Sequence, residues 1–249
     1  MNDLYMKDSV LVIPARMSGT RLPGKPLIPI LGKPMIQHVV ERCSEVVAKE
    51  QIFVVTEDFE IVNFVSSLGF NVIKTEYAET AIDRIYLFSQ IVDAQSYITV
   101  LGDEPLISPG DIEIIVKAAY ENRERVIIGK AKATLDEFND TSKAKVVCAL
   151  DGRLLYSSRA GIPVDKVGKY SSAYRAIWIY SIPKESLARY HKSSGRVLLE
   201  PLEGNEIIRF LEIGEPVYCI DVIGNSWAVD EPKDLEIVEN VLKSEKVGI

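Results

Sequence analysis

Between residues 9 and 122, four short apolar runs alternate with segments whose apolar residues return every three or four positions. "SVLVIPA" (9–15), "QIFVVT" (51–56), "NVIKT" (71–75) and the start of "SYITVLGDEPLI" (96–107) are short and rich in β-branched residues. They read as strands, the first buried on both faces. Between them, helical spacing predicts helices over 34–46, 58–69, about 79–93 and 108–122. Pro34 suits a first turn, Gly69 a C-terminus, and Ser108-Pro109 an N-cap followed by the first helical position. Strand–helix alternation of this kind predicts an α/β chain with a mostly parallel, twisted sheet flanked by helices.

After residue 125 the texture changes. "RVIIGKAKA", "AKVVCALD", "LLYSSRAGIP" and "YRAIWIYSI" follow one another as short strands, without a helix until "PKESLARYHK". That predicts a strand-rich antiparallel extension of the sheet. A helix over 204–214, the strand "PVYCIDVI" and a closing helix capped by Asp230 or Glu231 complete the chain. With no repeat, low-complexity stretch or Gly/Ser linker, residues 1–249 are expected to form a single domain.

The charge balance narrows the function. Net charge is −7, so no basic surface excess is available to neutralise a nucleic-acid backbone, and nucleic acid is not an expected partner. No apolar run approaches the ~20 residues of a membrane span, and the acidic start "MNDLYMKDSV" is unlike a signal peptide. Cys43, Cys148 and Cys219 lie far apart without metal-ligand spacing, which speaks for buried thiols in a reducing compartment and against zinc. The expectation is a cytoplasmic protein without a membrane partner.

Against that acidic background the positive cluster in "LVIPARMSGTRLPGKPL" (11–27) stands out. It follows a buried strand and precedes a helix, where α/β folds place their ligand crevice. Gly19 and Gly24 permit positive φ and close approach of backbone N–H groups to an anion. Arg16, Arg21 and Lys25 supply charge for phosphate oxygens, with Ser18 and the N–H groups of 17–20 as further donors. The spacing is neither a Walker A loop nor GxGxxG. The alternative is a solvated surface turn.

At these residues the chain resembles the 3-deoxy-manno-octulosonate cytidylyltransferase (CMP-Kdo synthetase) family, whose members read IPARxxSxRLPGKPL and then GKPMI. The likeness is dense over "IPARMSGTRLPGKPLIPILGKPMIQHVVERC" and continues in order along almost the whole chain. It implies a Rossmann-like nucleotidyltransferase fold that moves CMP from CTP to a sugar acid and releases pyrophosphate. It also implies a homodimer, in which the strand-rich segment 126–180 is expected to pair.

Two acidic motifs complete the expected site. In "LGDEPLI" (101–107), Asp103 lies just past a strand end, a position for a hard divalent ion or for a turn that satisfies backbone N–H groups. In "WAVDEPKDLE" (227–236), Asp230 reads as a helix cap. The resemblance makes both the Mg2+ ligands, through the family's QGDEP and VDTPEDLE. Arg16, Lys25, Asp103 and Asp230 are thus the expected catalytic set. The family's SGT[DE]R base-recognition stretch falls on "TAIDR" (80–84), leaving Thr80 and Arg84 as nucleotide contacts, with Ala81 and Ile82 as departures.

The acceptor side departs further. The match of "LYSSRAGIP" to the family's LYFSRATIP implies a place for Arg159 near the acceptor or the phosphates, and Glu206 lies in a matching helix, where a surface ion pair with Arg209 is the plainer alternative. The family's glutamine before GDEP is Leu101 here, its HIGIY histidine is Ala176, and its following glycine is Trp178. Lost hydrogen-bonding groups change which hydroxyls a site accepts. The reading is a kept phosphate and metal machinery with an altered acceptor pocket, suited to a modified octulosonate such as an 8-amino form. Another small acid, a phosphorylated acceptor, a non-catalytic nucleotide-binding regulator and a nucleotide-sugar glycosyltransferase remain alternatives. His38 and His191 read as helix residues outside the chemistry.

Overall fold

The computed structural model describes residues 2–19 and 21–247. A turn of helix, α1 (Asn2–Tyr5), leads into β1 (Ser9–Pro14); the short β2 (Pro29–Ile30) and β3 (Lys33–Pro34) precede α2 (Met35–Ser44). Alternation then runs through β4 (Ile52–Thr56), α3 (Phe59–Ser67), β5 (Asn71–Lys74), α4 (Ala81–Ser89), β6 (Ser96–Val100) and α5 (Pro109–Glu121). The second half holds β7 (Val126–Lys132), α6 (Leu135–Asn139), β8 (Lys145–Cys148), β9 (Leu154–Ser158) and β10 (Tyr174–Pro183). It ends with α7 (Lys184–Lys192), α8 (Leu199–Glu203), α9 (Ile207–Glu212), β11 (Val217–Asp221) and α10 (Pro232–Val247).

The main sheet runs in the order β11-β7-β10-β6-β1-β4-β5. β6, β1, β4 and β5 are mutually parallel, as the alternation requires. β10 is antiparallel to both β6 and β7, and the hairpin β8–β9 joins through β10, which forms the expected extension. Period-two packing divides the core between the two faces. Leu11, Ile13, Ile98 and Val100 face α2, α3 and α5; Val12 and Tyr97 face α4, α7 and α9.

β1 is the topological switch point. From it the chain goes to β4 and β5 on one side and returns to β6 on the other. Open α/β sheets form their ligand crevice at such a reversal, outside the carboxyl ends of the strands. The crevice here lies where residues 14–16 and 101–103 leave β1 and β6. The two ends are pressed together: Gly102 donates to the Pro14 carbonyl at 3.2 Å, and a Cβ at 102 would lie 3.0 Å from that same oxygen.

Two expectations change. The segment after residue 125 is not free of helix, because Thr134 and Glu137 form a reciprocal capping box that nucleates α6. The closing helix is not capped by the side chain of Asp230 or Glu231. Instead the Asp234 carboxylate reaches back to the N–H groups of Asp230 (2.9 Å) and Glu231 (2.8 Å). That leaves the Asp230 carboxylate available to the crevice. Ser108 caps α5 with Pro109 behind it, as read.

Candidate active site

Three separate stretches converge on the switch point. The loop after β1 carries Arg16, Arg21 and Lys25; the turn after β6 carries Asp103; the segment before α10 carries Asp230. A small core of Ile30, Met35, Leu106, Val229, Val238 and Leu242 packs α10 against the first two. The N–H of Val229 donates to the Asp103 carbonyl at 2.9 Å, so the two acidic stretches are joined main chain to main chain. Lys25 Nζ then lies 2.6 Å from Asp103 Oδ2 and 3.6 Å from Asp230 Oδ1, and Arg21 Nη2 lies 3.0 Å from Asp230 Oδ1. Residues more than two hundred positions apart in sequence share one charge cluster.

The cluster lines a cleft of about 400 Å³. Arg16, Gly19, Arg21, Lys25, Thr80, Arg84, Leu101, Asp103, Arg159, Trp178, Glu206 and Asp230 all border it; Ser18 and Ala176 do not. Gly24 has φ +72°, whereas Gly19 serves by close approach: a Cβ there would meet the Leu22 carbonyl oxygen at 2.8 Å. The main-chain donors of the loop are partly spent. Met17 N–H is given to Asp58 Oδ2 (2.7 Å) and Gly19 N–H to the Met17 carbonyl (2.9 Å), while residue 20 lies outside the described residues. Arg16 Nη1 donates to the Glu79 carbonyl at 3.3 Å, and the residue borders the cleft.

Does this constellation suit a divalent ion? Asp103 Oδ1 is buried without a hydrogen-bond partner among the described residues, and a protein ammonium already stands between the two carboxylates. No cluster of three or more His, Cys, Asp or Glu side chains occurs among the described residues. Two carboxylates without a full protein cage are what Mg2+ uses when substrate phosphates and water complete its shell. The residues fit that ion.

The far wall is built by α4 and α9. Thr80 caps α4, its hydroxyl accepting from Asp83 N–H at 3.0 Å and donating to Asp83 Oδ2 at 2.7 Å. Glu206 accepts from the N–H groups of Ala81 (3.1 Å) and Ile82 (2.8 Å), a carboxylate held at a helix N-terminus. Burial nonetheless pushes its carboxyl above the usual range. The surface pair Glu206–Arg209 does not form: Arg209 is buried and bonds Glu200 Oε1 at 2.7 Å and Asp83 Oδ1 at 3.3 Å. Arg84 is also buried, on Glu57 (2.7 Å) and Thr75 (3.2 Å). Arg159 is a strut, bonding the carbonyls of Glu203 (2.8 Å), Gly204 (2.9 Å) and Ser142 (2.8 Å).

Trp178 stands in an irregular part of β10. Its register against β7 jumps between Ile177 and Tyr180, a bulge of the kind that re-aims a side chain. Trp178 faces both the main cleft and a neighbouring one of about 310 Å³, and Ala176 lines only the latter. There Glu104 is buried against Ser226, and burial with the nearby Asp103 charge pushes its carboxyl up to about 7. Sequence reasoning missed Tyr180, Asn205 and Ser142 in the main cleft. Tyr180 was findable, two residues beyond Trp178 on the same strand. Ser142 carries no local signal, since a hairpin partner places it. His38 and His191 border neither cleft; His191 stacks on Tyr86 at 3.9 Å.

Residues 10–196 match the protein family described as cytidylyltransferase. The chain is 32% identical over 242 residues to the 3-deoxy-manno-octulosonate cytidylyltransferase of Escherichia coli, covering 96% of this chain and 98% of that one. It is 36% identical over 237 residues to the 8-amino-3,8-dideoxy-manno-octulosonate cytidylyltransferase of Shewanella pealeana, covering 92% and 96%. A solved CMP:2-keto-3-deoxy-manno-octonic acid synthetase, complexed with CTP, superposes with a TM-score of 0.88 at 32% identity, over 96% of this chain and 99% of that one.

Proposed function

This chain belongs to the cytidylyltransferase family, and from that membership we propose that it transfers CMP from CTP to a 3-deoxy-octulosonate-type sugar acid, an 8-amino form among them, releasing pyrophosphate. The observation that carries the reading is the meeting of Lys25, Asp103 and Asp230 in one cleft at the switch point. Asp103 and Asp230 would hold Mg2+. Bound there, the ion supplies positive charge against the reacting phosphate and its leaving group.

The other roles follow from placement. Arg16, Arg21 and Lys25 grip the triphosphate, with Ser18 and Gly19 shaping the loop that presents them. Lys25 and Arg21, here paired with the aspartates, are placed to donate to phosphate oxygens instead when nucleotide is bound, an exchange that would free the carboxylates for the metal. Thr80 and the α4 N-terminus form the nucleotide's side wall, with Arg84 behind them as a buried support. Leu101, Arg159, Trp178 and Glu206 border the acceptor, and Ala176 opens space beside it. The attacking hydroxyl must lie in line with the bond to pyrophosphate, and holding it there is the task of the residues that border the acceptor.

We also propose that the chain works as a single nucleotidyltransferase domain and as a cytoplasmic homodimer. No helix among the described residues is long and apolar enough to cross a membrane, and all three cysteines are unlinked. Exposed Leu150, Leu155, Val164 and Val167 lie within the strand-rich segment expected to pair.

The test is a matrix of nucleoside triphosphates against sugar acids and phosphorylated small molecules, read by pyrophosphate release. The expected outcome is release from CTP with an octulosonate, dependent on Mg2+. CTP binding without release across the whole panel identifies a regulator instead.

A further inference from the structure

The neighbouring cleft is not a separate place on the surface. Arg21, Ser142, Trp178, Ala228 and Asp230 line both spaces, so they meet beside the proposed metal carboxylates. The chain has two tryptophans, and both border the neighbouring cleft. Trp178 is the shared wall. Trp227 lies under Lys143, whose Nζ is 3.9 Å from the ring centroid.

The polar groups there are of both kinds. Arg175 is committed to Glu137 at 2.7 Å and Glu104 to Ser226. Lys143 has no carboxylate within ion-pair distance among the described residues. A second phosphate in this space would face the Glu104 and Asp230 carboxylates. An apolar chain would strip water from Lys143 without replacing its hydrogen bonds. Hydroxyl groups both donate and accept, and the C–H faces of a polyol pack against indole while its hydroxyls reach the polar rim.

We infer that the neighbouring cleft receives the hydroxylated tail of the sugar-acid acceptor, the end farthest from the carbon that takes the nucleotide, past Trp178 and against Trp227, within reach of Lys143. This rests on the acceptor class proposed above. It gives the two departures on β10 one purpose. The small Ala176 leaves the neighbouring space open, and Trp178, turned out by the bulge, directs the tail into it.

The experiment measures pyrophosphate release from CTP with two acceptors: an eight-carbon 3-deoxy-2-keto sugar acid, and a six-carbon 3-deoxy-2-keto acid that lacks the last two carbons. Two variants are compared with the parent. Ala176→Leu fills the space, and Lys143→Met removes the cation while leaving packing nearly intact, which keeps the test informative if Ala176→Leu folds poorly. The expected result is a rise of about tenfold or more in KM for the eight-carbon acid, with KM for CTP and for the six-carbon acid within about twofold of the parent. An unchanged KM for the eight-carbon acid in Lys143→Met overturns the inference, as does an equal rise for both acids. If the parent releases no pyrophosphate with any sugar acid, the acceptor reading itself fails and this subsite falls with it.

Discussion

Lys25 stands where the chemistry wants a cation. With its Nζ 2.6 Å from one aspartate and 3.6 Å from the other, it offsets the repulsion between the two carboxylates. Lys25→Met removes both that neutralisation and a phosphate donor. The expected outcome is a fall of about 10²-fold or more in kcat/KM with CTP, a scale typical of losing one preorganised charge partner; steady-state kinetics checks it. Glu206 gives a second prediction, on pH. Burial raises its carboxyl pKa above the unfolded value of 4.5. Between 4.5 and the folded pKa, the unfolded chain releases this proton and the folded protein keeps it. The group's stability contribution is therefore full at low pH and declines as pH rises through that window. Denaturant unfolding at pH 4.5 and pH 8 should show the parent losing stability with rising pH relative to Glu206→Gln. A parallel pH trend in the two proteins would contradict it. At this scale the sequence was legible where chemistry has a local spelling. Arg16, Lys25 and Asp103 sit in recognisable motifs, whereas the ties of Arg84 to Glu57 and of Glu206 to α4 depend on folds of the chain that no spacing reveals.

α4 is the element on which the nucleotide wall depends, and three devices pin it: the Thr80 cap, the Glu206 carboxylate at its first N–H groups, and the buried bridge from Asp83 to Arg209. Arg209 also bonds Glu200 from α8, so one guanidinium serves two carboxylates in the interior. Replacing it by methionine strands both. Breaking a buried pair costs about 3–5 kcal/mol, and at roughly 2–4 °C per kcal/mol for a chain of this size a melting-point loss of about 10 °C is expected in calorimetry. Strands and long helices were legible as elements because period two and period 3.6 are local properties. The short helices α6 and α8 were not. The capping box that starts α6 was present in "TLDE" (134–137), but four letters inside a strand-rich stretch are outweighed by their neighbours.

The whole molecule joins its two ends. α10 packs on the loop that follows β1, and this closure, rather than any motif, carries Asp230 to Lys25. The parallel half of the sheet was legible from alternation. The placement of β10 between β6 and β7 was not, since antiparallel insertion into a parallel sheet leaves no periodic trace. The same β10 brings Trp178 to the crevice, and the exposed Leu150, Leu155, Val164 and Val167 lie in the segment proposed to pair with a second copy. Sedimentation equilibrium should give twice the 27.8 kDa of one chain; a single-chain mass at micromolar concentration would remove the dimer. The central claim, that two far-separated aspartates form one magnesium–CTP clamp, is tested most directly by pyrophosphate release from CTP and an octulosonate across a Mg2+ titration, in the parent, Asp103→Asn and Asp230→Asn. The account predicts Mg2+-dependent release by the parent and loss of about 10²-fold or more in each variant, with melting temperatures close to the parent's. Full release by either variant, or release by the parent in excess chelator, would contradict it.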